Sequence, residues 1–481
     1  MGRKVISLLL GLLFVSFIPV QADARESIKD EIMYYVMVNR FQNGDESNDV
    51  KIDYNNPFSF YGGDIKGLEN RIPYIKDMGF TTIIITPIFK NDERGYHGYN
   101  VIDHYQMDER FGTFPQLKEF IKQAHKEDMK VVMELPVTVS KKHPMLEDLS
   151  KEQWFTEQGE RVELQVKQPD VQKYIEEVGE WWIEQTNLDG YYFAGVDDFP
   201  AAFVNRLSQQ FHNKKAGFYL IGEGTKDSDI ESLSWDLFVN QKQSNAQTQQ
   251  LSKGGALPQL SYHSNEASGT FLDNPRTERF TRTVLDAKEH PVVRTKQALA
   301  YLYLSSSVPI VYYGTEIALD GGKGSDAHRL MNFQSNPEII EYLTKLAGVR
   351  AELLSVRQGD VTQLSDDKGM GVYLHKSKGE KTLFVINNDS RVQVAQIEEK
   401  EIGEDQELRG LIEGGIIRSQ GGQYHIQLDS DSSNIYRIAE DKGVNIWYIS
   451  MMVFVYGGFL IFLIAASKKR KKGKLINAEK Q

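Results

Sequence analysis

Cysteine is absent from all 481 residues. No disulfide can staple this fold, so if the chain is exported its core must hold it together unaided. A basic excess is lacking too: 67 acidic against 56 basic residues leave a formal charge of -11. A phosphate backbone is bound through a basic face, which argues against nucleic acid as a partner. No fixed-period repeat is found, which sets solenoids and arrays aside. With 40% hydrophobic and 26% charged residues the chain is no disordered tail, and it is long enough for two or three domains around a large core.

Long apolar runs stand at the two ends. The first 24 residues carry Arg3 and Lys4, an apolar stretch from Val5 to Val20, and small residues at Ala22 and Ala24. This is the order of a secretory signal peptide, with cleavage after either alanine, or of an uncleaved N-terminal anchor. Residues 446–466, "IWYISMMVFVYGGFLIFLIAA", have about the length that crosses a hydrocarbon core of ~30 Å as a helix. The basic run "SKKRKKGK" follows, and such clusters stay on the cytoplasmic side. A single-pass type I protein of the cell membrane is expected, with the ectodomain outside and residues 467–481 as a cytoplasmic tail.

Between these ends strand-like and helix-like segments alternate. "TTIIITPIF", "KVVMELPV", "LDGYYFA", "GFYLIGE", "GTFLDN" and "PIVYYGTE" read as buried strands. "FPQLKEFIKQAHKEDM" and "PDVQKYIEEVGEWWIEQT" show the i, i+3, i+4 apolar spacing of helices packed on one face. Alternation over residues 25–355 predicts an α/β fold, a parallel sheet closed into a (β/α)8 TIM barrel. Over residues 356–441 the pattern changes to short alternating strands broken by Gly, Asp and Asn, which predicts a separate C-terminal β-domain.

The strand ends, in order, read "MYYVMVNRFQNGDESND", "YGGDIKGL", "GYHGYNVIDHYQMDERFGT", "LIGE", "TFLDN" and "PIVYYGTE". Six such motifs in register resemble the α-amylase family, glycoside hydrolase family 13. The resemblance implies an active site at the strand C-termini, an antiparallel C-terminal β-sandwich and a substrate of the α-glucan or maltooligosaccharide class. The short segment between the third and fourth strands implies a small inserted domain.

A retaining glycosidase needs two carboxyl groups about 5 to 5.5 Å apart, one as nucleophile and one as acid and base. Matched to the family, the acid is Glu223, but Ala194 stands at the nucleophile position and Tyr192 where an Arg precedes it. Pro275 and Arg276 occupy the His-Asp pair that carries the third carboxylate, and "ELPVTV" makes Glu134 a lengthened acid with Thr138 and Val139 in place of Asn and His. The losses converge on the reacting groups, so catalytic silence is expected. If Arg276 points inward, it pairs with Glu223; otherwise it turns to solvent.

The resemblance also places His97 and Tyr99 against the sugar beside the scissile bond, and Asp197 and Asp198 against the leaving sugar. Asn43, Asp45, Asn48, Asp49, Gly62 and Asp64 match a calcium loop of the family, and their oxygens suit a hard cation; an Asx-rich turn without metal reads the same way. Three functions stay open: an α-glucan-recognising surface pseudoenzyme, an active hydrolase with an unplaced nucleophile, and a structural subunit for a membrane-protein partner.

Overall fold

The computed structural model describes residues 27–159, 161–225, 234–258, 267–441, 443 and 446–478. The expected signal peptide lies outside them. Eight parallel strands follow in chain order: β1 (Met33–Val36), β2 (Thr82–Ile85), β3 (Lys130–Glu134), β4 (Gly190–Ala194), β5 (Tyr219–Gly224), β6 (Leu237–Asn240), β7 (Ser268–Phe271) and β8 (Val308–Tyr312). The sheet closes where Met33 of β1 pairs with Ile310 of β8. The strands are buried on both faces, inside by one another and outside by helices. Hence β2 reads "TIII" without alternation.

The crossover helices carry their own start and stop signals. Helix α1 (Phe114–Lys126) opens with a capping box in which Thr113 and Gln116 satisfy each other's end groups. Helix α2 (Pro169–Thr186) starts with proline and ends where Asn187 turns left-handed, at φ 64°. Between β3 and β4 the inserted segment is a three-stranded sheet of Thr138–Ser140, Arg161–Leu164 and Phe155–Gln158 with short turns.

The helices Glu338–Glu352 and Leu354–Gln358 lead into the second domain. There a six-stranded antiparallel sheet, beginning with Asp360–Asp367, faces a two-stranded one (Gln393–Glu398 with Gln423–Leu428) over its own apolar core. The buried Arg294 of the barrel reaches across to Asn388 Oδ1 at 2.8 Å and to Asp431, tying the domains together. A final helix, Ile446–Ala478, includes Ser450–Lys468, long and apolar enough to cross a membrane, with mean hydropathy 2.1 and no part of it buried.

Candidate active-site cleft

In a parallel barrel the loops that do chemistry gather at the strands' C-terminal ends. A cleft of about 1280 Å³ opens there. Register sets its floor. Ala194, the last residue of β4, stands directly beside Glu223 of β5, and Glu134, the last of β3, stands beside Tyr192 of β4. Period-2 alternation puts Tyr192 and Ala194 on the same face.

Arg276 arrives from the loop after β7 and turns inward. Its Nη1 lies 2.8 Å from Glu134 Oε1, and its Nη2 binds Glu223 Oε2. Tyr192 Oη donates to Glu223 Oε2 at 2.6 Å and Asn274 Nδ2 to Oε1 at 3.0 Å. Tyr99 Oη donates to Glu134 Oε2 at 2.7 Å, and Tyr35 Oη binds the same oxygen. The side chains of both acids are 2% exposed, whereas that of Arg276 is 27% exposed.

Burial pulls the Arg276 guanidinium toward neutrality, but Glu223 and Glu134 outweigh it and hold its pKa well above the ordinary value. For Glu134 burial wins: its pKa is raised, against the lowering effect of Arg276, Tyr35 and Tyr99. Burial first, and then the carboxylate each one faces, pushes the phenols of Tyr35, Tyr99 and Tyr192 well up, so they remain donors. Among the described residues, every hydrogen-bonding neighbour of Glu223 therefore donates to it.

Beside this bridge, His97 Nδ1 accepts the Tyr99 backbone N–H at 3.0 Å, and both residues line the cleft. Burial, then the neighbouring Arg161, keeps His97 well below its usual pKa, hence neutral. His328 is held in one tautomer. Its Nε2 donates to Pro275 O at 2.8 Å and its Nδ1 accepts from Tyr96 Oη at 2.9 Å, which pins the loop that carries Arg276.

Comparison with known proteins agrees with this architecture. The α-amylase catalytic-domain family matches residues 35–158, and the α-amylase C-terminal domain matches residues 359–436. The crystal structure of an Anoxybacillus α-amylase is 36% identical, with a TM-score of 0.82 over 86% of this chain and 99% of that one. This chain belongs to the α-amylase family. A Geobacillus thermoleovorans α-amylase, crystallised with acarbose, is 34% identical, with a TM-score of 0.80 over 86% of this chain and 100% of its own. A cyclomaltodextrinase of Thermoanaerobacter pseudethanolicus is 26% identical over 79% of this chain and 74% of its length. The β/α-amylase of Paenibacillus polymyxa is 27% identical over 76% of this chain, which spans only 34% of that longer protein.

Within this α-amylase-family cleft, two residues expected to contact sugar, Asp197 and Asp198, follow Ala194 on the β4 exit. Asp197 and Asp198 are not among the residues that line the cleft. Gly195, at φ 73°, turns the chain left-handed straight after Ala194 into the short turn Val196–Asp198. Asp197 then accepts Thr225 N at 2.8 Å and Thr225 Oγ1 at 2.9 Å, joining the exits of β4 and β5. Asp198 pairs with Lys167 Nζ at 3.0 Å on the surface.

The loop matched to calcium is built around Asp64, whose carboxylate accepts the backbone N–H groups of Gly44, Asp45 and Gly67 and the Asn48 amide. Asn43 Nδ2 donates to Asp49 Oδ2 at 2.9 Å, and Asp45 is taken up by Ser47 and Gln116. Two observations fit a cation. Asn48 Oδ1 is buried with no hydrogen-bond partner, and a Cβ on Gly62 would fall 2.5 Å from Asn43 Nδ2 and 2.8 Å from Asp49 Oδ1. Among the described residues no three His, Cys, Asp or Glu side chains form a metal cluster, so amide and backbone oxygens would have to supply much of the shell.

Four residues of the site were not assigned from sequence: Tyr35, Asn274, His328 and Arg161. Asn274 stood inside the "FLDNPR" motif and could have been read as a Glu223 partner. Nothing local marks Tyr35, whose partner Glu134 is 99 positions away.

Proposed function

We propose that this α-amylase-family protein is a membrane-anchored α-glucan-recognising protein that does not hydrolyse its ligand. The observation carrying this reading is the Arg276 bridge: one guanidinium holds both remaining acids, beside a methyl group where a nucleophile is needed. Loss of members of a catalytic unit removes roughly 10⁴ to 10⁶ in turnover, judged from protease triads. The acarbose complex of the Geobacillus relative supports a sugar in this cleft, and the surviving His97 and Tyr99 support it too. The exposed apolar helix Ser450–Lys468 supports anchoring, with the barrel outside the cell.

The full-length protein in detergent micelles, given maltooligosaccharides and α-glucosyl fluoride, is expected to bind without releasing product, by calorimetry and product analysis. Turnover that disappears in Glu223→Gln would sink the silent reading. Neither binding nor turnover would sink the glucan reading and leave a protein partner in the membrane.

Calcium in the loop is part of this reading, held by Asn43, Asn48, Asp49 and the Gly62 carbonyl, where it would clamp the β1 exit to the barrel. A cation bound only by the folded state at 100 to 1,000 times its Kd adds about 3 to 4 kcal/mol. Chelation is therefore expected to lower the melting temperature by several degrees, restored by calcium. An unchanged midpoint means the loop is an Asx-rich turn.

A further inference from the structure

Above the Arg276 bridge the cleft carries cations that the bridge does not use. Lys51, Arg94 and Arg161 all line it, and among the described residues none of them pairs with a carboxylate. The carboxylates of the same lining are otherwise engaged: Glu93 by Lys142, and Glu134 by Arg276. Glu163 is the remaining carboxylate of the lining, facing the three unpaired cations. In a chain of net charge -11, this local excess of cations inside a cleft is a focused field rather than an average property. Arg161 also sits with Cζ 5.5 Å from the Tyr99 ring centroid, beside the sugar-facing residues.

A second observation concerns Phe58, which is 58% exposed at the same cleft. Its flanks are fixed by the buried Arg40, which donates to Pro57 O at 2.8 Å, Ser59 O at 2.9 Å and His328 O at 2.8 Å. The Arg40 guanidinium lies 3.6 Å from the Tyr61 ring centroid and 4.4 Å from that of Tyr96. The Phe58 ring, edge-on to Tyr96 at 6.5 Å, is thus an apolar platform whose backbone ordering cost is met in the free protein.

We propose that the cleft is specific for an anionic α-glucoside: a hexose ring on Phe58 and an attached phosphate held by Arg161 and Arg94, with Lys51 adding to the field. Guanidinium groups pair with phosphate bidentately, which makes these arginines the selective element. The inference rests on the reading of the cleft as a sugar-binding site. The same chemistry is presented by a phosphorylated α-glucan and by a polyol-phosphate polymer bearing α-glucose.

The test is calorimetry on the full-length protein in detergent at low salt. The four probes are maltotriose, maltotriose phosphate monoester, α-glucosylated polyglycerol phosphate and bare polyglycerol phosphate. One or both glucosyl phosphates are expected to bind about tenfold or more tightly than maltotriose, and the gain to shrink as salt rises. The tighter of the two names the source. Arg94→Gln with Arg161→Gln erases the gain, and Phe58→Ala weakens every glucosyl probe. Binding of both glucosyl phosphates no tighter than that of maltotriose overturns this proposal and leaves the silent glucan binder standing. Bare polyglycerol phosphate binding as tightly as its glucosylated form overturns it as mere charge attraction. Failure of all probes overturns both readings.

Discussion

Replacing Arg276 with alanine is expected to lower the melting temperature by roughly 4 to 7 °C at neutral pH, and by much less near the carboxylate range. Arg276 is the cation that both Glu134 and Glu223 contact, and each acid is 1% exposed. Breaking a buried ion pair by deleting one partner costs about 3 to 5 kcal/mol, because the charge left behind has neither water nor a counter-ion. The pH dependence follows from Glu134, whose pKa is already raised by burial while Arg276 works to lower it. Removing Arg276 drives that pKa higher. A group whose folded pKa lies above its unfolded one contributes stability at pH below the unfolded value and loses it as pH rises through the folded value. The deficit of Arg276→Ala is therefore largest at neutral pH and shrinks on acidification, as Glu134 takes up a proton. Arg276→Lys keeps the charge but not the fork that spans two carboxylates, so its midpoint should fall between the two. Circular-dichroism melts at several pH values check this, and a small, pH-independent loss would show that the guanidinium compensates neither acid.

The fold was legible because its signals are local and redundant. The runs "KVVMELPV", "LDGYYFA" and "GFYLIGE" all became strands, and their Glu134, Ala194 and Glu223 form the cleft floor. The span read as a helix from "PDVQKYIEEVGEWWIEQT" is the helix observed, Pro169–Thr186. Strand β6 was not read: its four residues, "LFVN", are too short to show a period and run straight into the polar helix Gln241–Leu251. In the site, the family motifs pointed to the substituted positions, and the inward course of Arg276 was one of two courses the residues allowed. The partners were not legible. Tyr35 meets Glu134 and His328 meets Pro275 only because the barrel closes, and such contacts leave no mark on spacing.

Restoring the missing carboxylate alone is expected to leave turnover absent, whereas Ala194→Asp combined with Tyr192→Arg and Arg276→Asp should gain it. Ala194 and Glu223 are direct partners on neighbouring strands, which run about 4.7 to 4.9 Å apart. An aspartate at 194 would place its carboxyl close to the ~5 to 5.5 Å separation that a retaining mechanism uses. In the single variant, however, that new anion meets Arg276, which already holds two carboxylates, and the guanidinium is bound more tightly over the place a sugar ring must enter. Tyr192→Arg supplies a cation beside the new nucleophile, and Arg276→Asp both clears the bridge and returns a third acid. The triple variant is expected to cleave α-glucosyl fluoride on the order of 10² times faster than Ala194→Asp, a modest fraction of what a full catalytic unit contributes. Addition of Glu223→Gln should abolish the gain, and the first product should be the α-anomer if the rebuilt pair works by retention. If Ala194→Asp alone matched the triple variant, Arg276 would not be the obstruction, and silence would reduce to the missing nucleophile.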